Sequence, residues 1–282
     1  MYRLSRPAGA LAPHIEHYWH VRAPSGSDFD LTVDVYVDAR ADLIFNFGAP
    51  YTRTLLGARG RRIGHSNLDA QRLKPIRIRQ RGDVEVCGVR FRTAGLMPFV
   101  SHDVGAWSGK VVSLAPALGP EALLLERALR AAGADIDEQA KLLDTFFLAR
   151  LDLSATKRAV HRVKSEIETH GGELTVGALC ELAQTSARNL DRLFRRHMGF
   201  GPKTFSRVVR FQRALNRVKT DLSGTLASVA AECGYYDQSH LVREFKLFAG
   251  TAPKHKAGYF PADAPVDFSP NLVRFVQDAR SK

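Results

Sequence analysis

Arg188, Arg192, Arg195 and Arg196 are spaced so that, at about 100° per helical residue, the last three all lie within about 80° of Arg188. Leu190, Leu193, Phe194 and His197 fall on the opposite side. A helix built this way has one apolar stripe for a core and one stripe of guanidiniums. A guanidinium can donate two parallel hydrogen bonds to guanine O6 and N7, and an amide such as Asn189 can match adenine in the same manner. Asp191 either accepts from a cytosine amino group or orients a neighbouring arginine. A solvated basic face is the plainer alternative, and scattered lysines would favour it. Four arginines flanked by Asn189 and Asp191 favour the reading of base edges.

Other chemistry-bearing residues are less well grouped. His14, His17 and His20 recur at spacing three, which on a strand puts successive rings on opposite faces. A metal-dependent enzyme would need two histidines, a carboxylate and open coordination positions brought together, so neither a metal nor any other cofactor is expected, and no catalysis. Cys87, with Arg90 and Arg92 nearby, could have thiolate character, but a buried strand cysteine is the simpler reading. Trp19, Asp42, Phe45 and Arg90 are the candidate walls and polar groups of a small-molecule pocket; Trp19, Phe45 and Trp107 could equally belong to a core.

The elements that would position the arginines come as a repeat. Leu190, Arg192, Phe194, Gly199 and Pro202 recur 51 residues on as Leu241, Arg243, Phe245, Gly250 and Pro253. Each copy follows a short helical stretch and a turn, Thr175 to Ala183 then Gln184-Thr185-Ser186, and Thr225 to Cys233 then Gly234 to Asp237. Helix, turn, and a second helix opened by a polar cap is the helix-turn-helix pattern, and two copies in register strengthen it. In the second copy Leu241, Phe245 and Phe248 form the buried stripe, and Ser239, Arg243 and Lys246 the opposite one, with Gln238 at the exposed start and His240 at the stripe's edge. Between the copies, Arg207, Arg210, Arg213 and Arg217 line one side of a long helix, where phosphate contact is the expectation; such a connector could hold two reading helices in successive turns of the major groove.

Charge agrees with this placement. The 282 residues carry 41 Lys and Arg against 29 Asp and Glu, a net of +12. Residues 1–150 hold 20 basic and 16 acidic groups, whereas Arg188 to Lys256 hold 14 and 5, a dense local excess suited to a polyanion. Three cysteines are too few for a disulfide framework, no apolar run is long enough to span a membrane, and no hydrophobic signal region follows the first basic residues. A soluble chain that stays in the cytoplasm, away from membranes, is expected.

The first hundred residues read as short strands. Phe29, Leu31, Val33, Val35 and Val37 alternate with polar or acidic neighbours, and Ile15 to Arg22, Leu43 to Phe47, Thr54 to Leu56, Ile76 to Gln80 and Val84 to Arg92 are further strand-like runs. An α+β protein follows: an antiparallel β-barrel with helices from Pro120 onward in residues 1–152, and an all-α domain in 153–282. Asp135 and Ser154 can cap the second and third helices. The apolar face of Leu142, Leu143, Phe146 and Phe147 could meet the barrel, the second domain or a second subunit. A last short helix is expected at Asn271 to Asp278.

On these motifs, the region from about 158 to 260 resembles the DNA-binding domain of AraC/XylS-type transcriptional regulators. The resemblance implies a bacterial regulator of promoter DNA, with base-contacting positions at Arg188, Asp191 and Arg192 and at Gln238, Ser239 and Arg243. Lys256 departs from the family's aromatic three residues after the second proline, so Tyr259 or Phe260 would have to close that unit. Tyr18-Trp19, Asp42 to Asn46 and Gly88 to Arg92 make the N-terminal half similar to cupin-like sensor domains. Such a protein would answer to a small-molecule effector or dimerise, and would meet RNA polymerase if it activates. The alternative is a cupin-like barrel enzyme or sensor carrying a DNA-targeting module.

Overall fold

Alternation decides the first half. In the computed structural model, which describes residues 2–23, 26, 29–220 and 224–253, the odd residues from Phe29 to Val37 are buried and the even ones half-buried or exposed. Ten strands form: β1 (Tyr2–Ser5), β2 (Ile15–Arg22), β3 (Asp30–Val35), β4 (Asp42–Asn46), β5 (Tyr51–Leu55), β6 (Arg61–Ile63), β7 (Asn67–Asp69), β8 (Ile76–Arg81), β9 (Glu85–Phe91) and β10 (Val111–Ser113). All pairings are antiparallel. They make a six-stranded sheet, β1-β2-β9-β4-β7-β10, and a four-stranded sheet, β3-β8-β5-β6. The antiparallel β domain expected from the sequence is therefore present, but as two sheets and not as one closed ladder. Side chains close it instead: Arg53 of β5 binds Asp69 of β7 bidentately at 2.9 and 2.8 Å, and the Tyr51 hydroxyl donates to Asn67. On the solvent face of β3, Asp34 pairs with Arg77 and Asp30 with Arg79 and Arg81.

Nine helices follow among the described residues: α1 (Leu114–Leu118), α2 (Glu121–Ala131), α3 (Ile136–Leu148), α4 (Ala155–Thr169), α5 (Val176–Ala183), α6 (Ala187–Met198), α7 (Pro202–Thr220), α8 (Leu226–Glu232) and α9 (Gln238–Phe248). None is long and apolar enough to cross a membrane. Asp135 caps α3 by accepting from Asp137 and Glu138 N–H groups, whereas Ser154 starts α4 without a side-chain cap bond. The expected helix at Asn271 to Asp278, and Lys256, Tyr259 and Phe260, lie outside the described residues.

Three cores result. One fills the space between the sheets around Trp19, Val33, Ile78 and Val86. A second lies between the six-stranded sheet and α1–α3; the α3 face of Leu143 and Phe147 is buried there, with the Phe147 ring 5.6 Å from Phe91 and 4.8 Å from Phe99. Of the three surfaces that face could have met, it meets the sheet. Tyr18 and His20 reinforce the seam by bonding Asp144 and Gln139 of α3. The third core holds α4–α9, joined by Val37, Ala39 and Met97 from the β half.

Candidate nucleic-acid interface and inter-sheet cavity

Each reading helix begins with a side-chain cap. Ser186 accepts from the Asn189 N–H and Asp237 from the His240 N–H, satisfying donors that a helix start leaves open. Thr175 and Thr225 cap α5 and α8 in the same way. The turns differ by one residue: Gln184 in the first (φ 48°) and Gly234 in the second (φ 70°) both adopt the left-handed conformation, but two residues separate Gln184 from Ala187 and three separate Gly234 from Gln238. Leu190 and Phe194 in α6, and Leu241 and Phe245 in α9, are fully or almost fully buried. Gly199 and Gly250 end their helices at φ 80° and 81°, where a Cβ would be strained.

The opposite faces are open. Arg188, Arg192, Arg195 and Arg196 are exposed along α6, with Asn189 and Asp191 half-buried beside them. Arg192 Nη2 donates to Asn189 Oδ1 at 2.7 Å, and Asn189 Nδ2 to Thr185 Oγ1 at 2.7 Å, which fixes the amide between them. Arg195 is tied to Asp191 at 2.6 Å, so the aspartate orients an arginine in this structure. Along α9, Gln238, Ser239, Arg243 and Lys246 are exposed and His240 is half-buried, its ring edge-on to Tyr235. Tyr236, in the second turn, is the most exposed large hydrophobic side chain of that unit, and sequence patterning did not single it out.

The connector behaves differently from its sequence expectation. Arg207 pairs with buried Glu244 at 2.7 Å, Arg213 with Glu173 at 2.7 Å and Arg217 with Glu232 at 2.6 Å, while Arg210 donates to the Gly172 carbonyl at 2.7 Å. All four arginines have partners within the helical half. Their acidic partners lie far away in sequence, which is why spacing could not reveal them. Arg210→Ala is accordingly expected to lower stability by about 1.5–3 kcal/mol, the scale of a hydrogen bond from a charged group. Urea denaturation and the salt dependence of DNA binding check this together; a salt slope shallower by about one would return Arg210 to phosphate contact.

The β half touches the ends of both reading helices. The Val37 N–H donates to the Phe248 carbonyl at 3.1 Å at the close of α9, and the Val37 carbonyl accepts from Gln212 of α7. The short turn Val104–Trp107 abuts α6 so closely that a Cβ on Gly105 would stand 2.3 Å from the Arg195 carbonyl. A Cβ on Gly199 would approach Gln71 and Ser108 to about 3 Å.

Of the four residues expected to form a pocket, two line one cavity. Trp19 and Asp42 face a space of about 60 Å³ between the sheets, together with Leu31, Ile44, Ile78 and Val86. Phe45, one residue past Ile44, points to the α1–α3 side instead. Arg90 is buried and donates to Asp42 at 3.0 and 2.8 Å and to Asp38, supporting the cavity wall from behind. Gly88 stands opposite Trp19, where a Cβ would come within 2.1 Å of the indole. Arg72, which sequence reading passed over, also lines the cavity. No pattern marked it: a single arginine between strands is ordinarily exposed.

The other candidates disperse. His14 packs against Phe99 and His161, and burial, then His161 and Lys164, push its imidazole down to about 4. His20 bonds Gln139. Among the described residues no group of three or more His, Cys, Asp or Glu is placed to hold a metal ion. Burial pushes the Cys87 thiol up to about 12, against thiolate character.

Comparison with known proteins finds a family match in each half. Residues 179–257 match a family described as a helix-turn-helix domain, and residues 4–113 match a domain of unknown function, DUF6597. The HTH-type transcriptional regulator CdhR of Pseudomonas aeruginosa is 31% identical over 117 residues, covering 41% of this chain and 34% of that protein. An "uncharacterized HTH-type transcriptional regulator" of Haemophilus influenzae is 36% identical over 75 residues, 27% of this chain and 25% of that protein. The chain thus spans about a third or less of the length of these curated relatives. Among solved structures, ToxT from Vibrio cholerae superimposes with a TM-score of 0.45 at 10% identity, covering 84% of this chain and 95% of that one. A chain described as a "probable AraC family transcriptional regulator" from Rhodopseudomonas palustris is 26% identical, covering 42% of this chain and 97% of that chain, with a TM-score of 0.32. The helical half thus carries a match to a helix-turn-helix domain over residues 179–257, behind a match to DUF6597 over residues 4–113.

Proposed function

We propose that this protein is a sequence-specific DNA-binding regulator of transcription, of the bacterial AraC/XylS type. Residues 153–282 would bind promoter DNA, and residues 1–152 would sense a small molecule or dimerise. The observation that carries the reading is the exposed guanidinium face of α6, on the second helix of a capped helix-turn-helix and repeated in weaker form on α9. In this reading Arg188, Arg192 and Arg196 meet base edges or flanking phosphates from α6, with Asn189 held between Arg192 and Thr185, Arg195 steered by Asp191, and Ser186 presenting the helix start. Gln238, Ser239, His240, Arg243 and Lys246 do the same from α9, with Arg243 the best placed for a base because it repeats Arg192. The role is binding, not catalysis, and it belongs in the cytoplasm, where promoter DNA is.

The test is selection of bound sequences from a random duplex pool with the full chain, followed by affinity for the selected site and for its scrambled version. Specific affinity is expected to exceed the scrambled one by at least about a thousandfold at physiological salt. Near-equal affinities would make the protein an architectural binder and end the reading. The fragment 153–282 is expected to fold and keep that preference; loss of helical circular dichroism in the fragment would show that Val37, Ala39 and Met97 are indispensable to its core.

A further inference from the structure

We propose that the hairpin joining β5 to β6, which carries Arg59, Arg61 and Arg62, is a third DNA contact that grips phosphates beside the second helix-turn-helix unit. This deepens the reading of the chain as a DNA-binding regulator and rests on it.

The hairpin reads Leu55-Leu56-Gly57-Ala58-Arg59-Gly60-Arg61-Arg62-Ile63, and no acidic residue occurs between Asp42 and Asp69. Arg59, Arg61 and Arg62 are exposed, and among the described residues their side chains have no hydrogen bond or ion pair. Other exposed arginines of the same sheet are paired. Arg77 binds Asp34, and Arg79 and Arg81 bind Asp30. Asp69 is already held by Arg53 of β5. Lys74 is likewise exposed, with no side-chain partner among the described residues. Residues 1–150 carry 20 basic and 16 acidic groups, so these four cations equal the whole positive surplus of that half. Like charges crowded at a hairpin tip repel one another and work against the fold. A polyanion is the partner that such a cluster fits.

The hairpin is built to keep its shape. Ile63 is buried in the core between the sheets and anchors β6. The chain turns at Gly57, left-handed at φ 80°, and the Ala58 N–H donates to the Leu55 carbonyl at 2.9 Å. Gly60 lies so close on β5 that a Cβ there would stand 2.8 Å from the side chains of Thr52 and Thr54. A backbone already set in this way loses less freedom on binding.

Position supplies the partner. The root of the hairpin sits at the end of α9, where a Cβ on Gly250 would come within 2.7 Å of Leu56 and 3.4 Å of Pro75. The Leu56 N–H donates to the Pro75 carbonyl at 3.1 Å, which brings Lys74 to the same place. On α9, Lys246 is exposed about one turn before Gly250, and Arg243 is exposed a further turn back. From Leu56 to Arg62 the chain spans at most about 20 Å, so the four cations lie within about that distance of the reading helix's end. A duplex carries one phosphate charge per about 1.7 Å of its axis, and a helix in the major groove has a phosphate strand along each flank. The helix then reads bases while the hairpin holds phosphates beyond them.

The test uses the full chain, the selected DNA site and the triple variant Arg59→Gln, Arg61→Gln, Arg62→Gln. Affinity for the site is expected to fall at least about tenfold at about 0.1 M salt, and the slope of log affinity against log salt to become shallower by about two to three. The ratio of specific to scrambled affinity should stay the same, because phosphates carry no sequence information. The corresponding lysine triple variant should keep the wild-type slope. Removing the flanking base pairs beyond the second unit should weaken the wild type by as much, and the glutamine variant hardly further. Trimming on the wild type needs no variant and decides the matter even if the glutamine variant does not fold. An unchanged salt slope in the folded glutamine variant, or a wild type indifferent to both flanks, would overturn the proposal. So would a variant that loses affinity for vesicles of anionic lipid and none for DNA. A chain with a preferred sequence but no part for the hairpin refutes this contact and leaves the DNA-binding reading intact; one that binds all duplexes alike, and loses that binding with the hairpin arginines, does the reverse.

Discussion

Arg188→Ala and Arg192→Ala are each expected to weaken binding at the selected site by about 1–3 kcal/mol, roughly 5- to 150-fold, with a much smaller loss on random duplex. Both side chains are exposed, so neither replacement should disturb the fold. Arg192 has the stronger case. Its hydrogen bond to Asn189, continued to Thr185, restrains the guanidinium and the amide before DNA arrives. A side chain already restrained loses less entropy on binding. Arg195 is a useful contrast: its bond to Asp191 is an exposed i,i+4 pair, worth little to stability, and it diverts donors that a base would need. Arg195→Ala should therefore cost less at the specific site than Arg192→Ala. Fluorescence anisotropy on specific and scrambled duplexes at one salt concentration measures all three. Equal losses on both duplexes would make Arg188 and Arg192 phosphate contacts, since phosphates carry no sequence information.

The largest effect on stability is expected from Arg207→Ala, a loss of about 3 kcal/mol or more. Glu244 is buried on α9, and three hydrogen bonds of 2.7–3.3 Å from Arg207 on α7 are what allow its charge to remain there. Removing the arginine leaves a carboxylate without compensation in an apolar setting, beside the rings of Phe211, Phe245 and Phe248 that form the same core. Breaking one side of such a pair costs about 3–5 kcal/mol, whereas replacing both partners by apolar residues is often neutral or stabilising. The double variant Arg207→Met with Glu244→Leu should therefore recover most of the loss. Urea unfolding of the wild type, Arg207→Met, Glu244→Leu and the double variant gives the coupling energy directly. If Arg207→Ala keeps full stability and instead flattens the salt dependence of DNA binding, the guanidinium belongs to a phosphate and the ion pair contributes nothing.

The boundary between what could be read and what could not follows the range of the forces involved. The two helix-turn-helix units were legible because their signals are local. A helix end needs a residue tolerant of positive φ, hence Gly199 and Gly250 at the same offset, and a helix start needs a polar cap, hence Ser186 and Asp237. The apolar stripe of each reading helix, and so the outward turn of Arg188 and Arg192, follows from 3.6 residues per turn alone. The strand from Phe29 onward was equally plain, because a period of two needs no partner to be seen. Strands of three residues, β6, β7 and β10, are too short for any period, and they went unseen. A period of two also leaves open which face meets which surface. It set Phe45 apart from Ile44 without telling which of them borders the cavity; the stacking of the four-stranded sheet on the Ile44 side decided that. Electrostatic partnerships were the least legible. Arg207, Arg213 and Arg217 look like a basic stripe until Glu244, Glu173 and Glu232 are folded against them from 15 to 40 residues away. Arg72 carries no sequence signal at all. Its burial arises only when two sheets close over it, because the cost of desolvating a charge depends on what surrounds it in space and not on its neighbours in the chain.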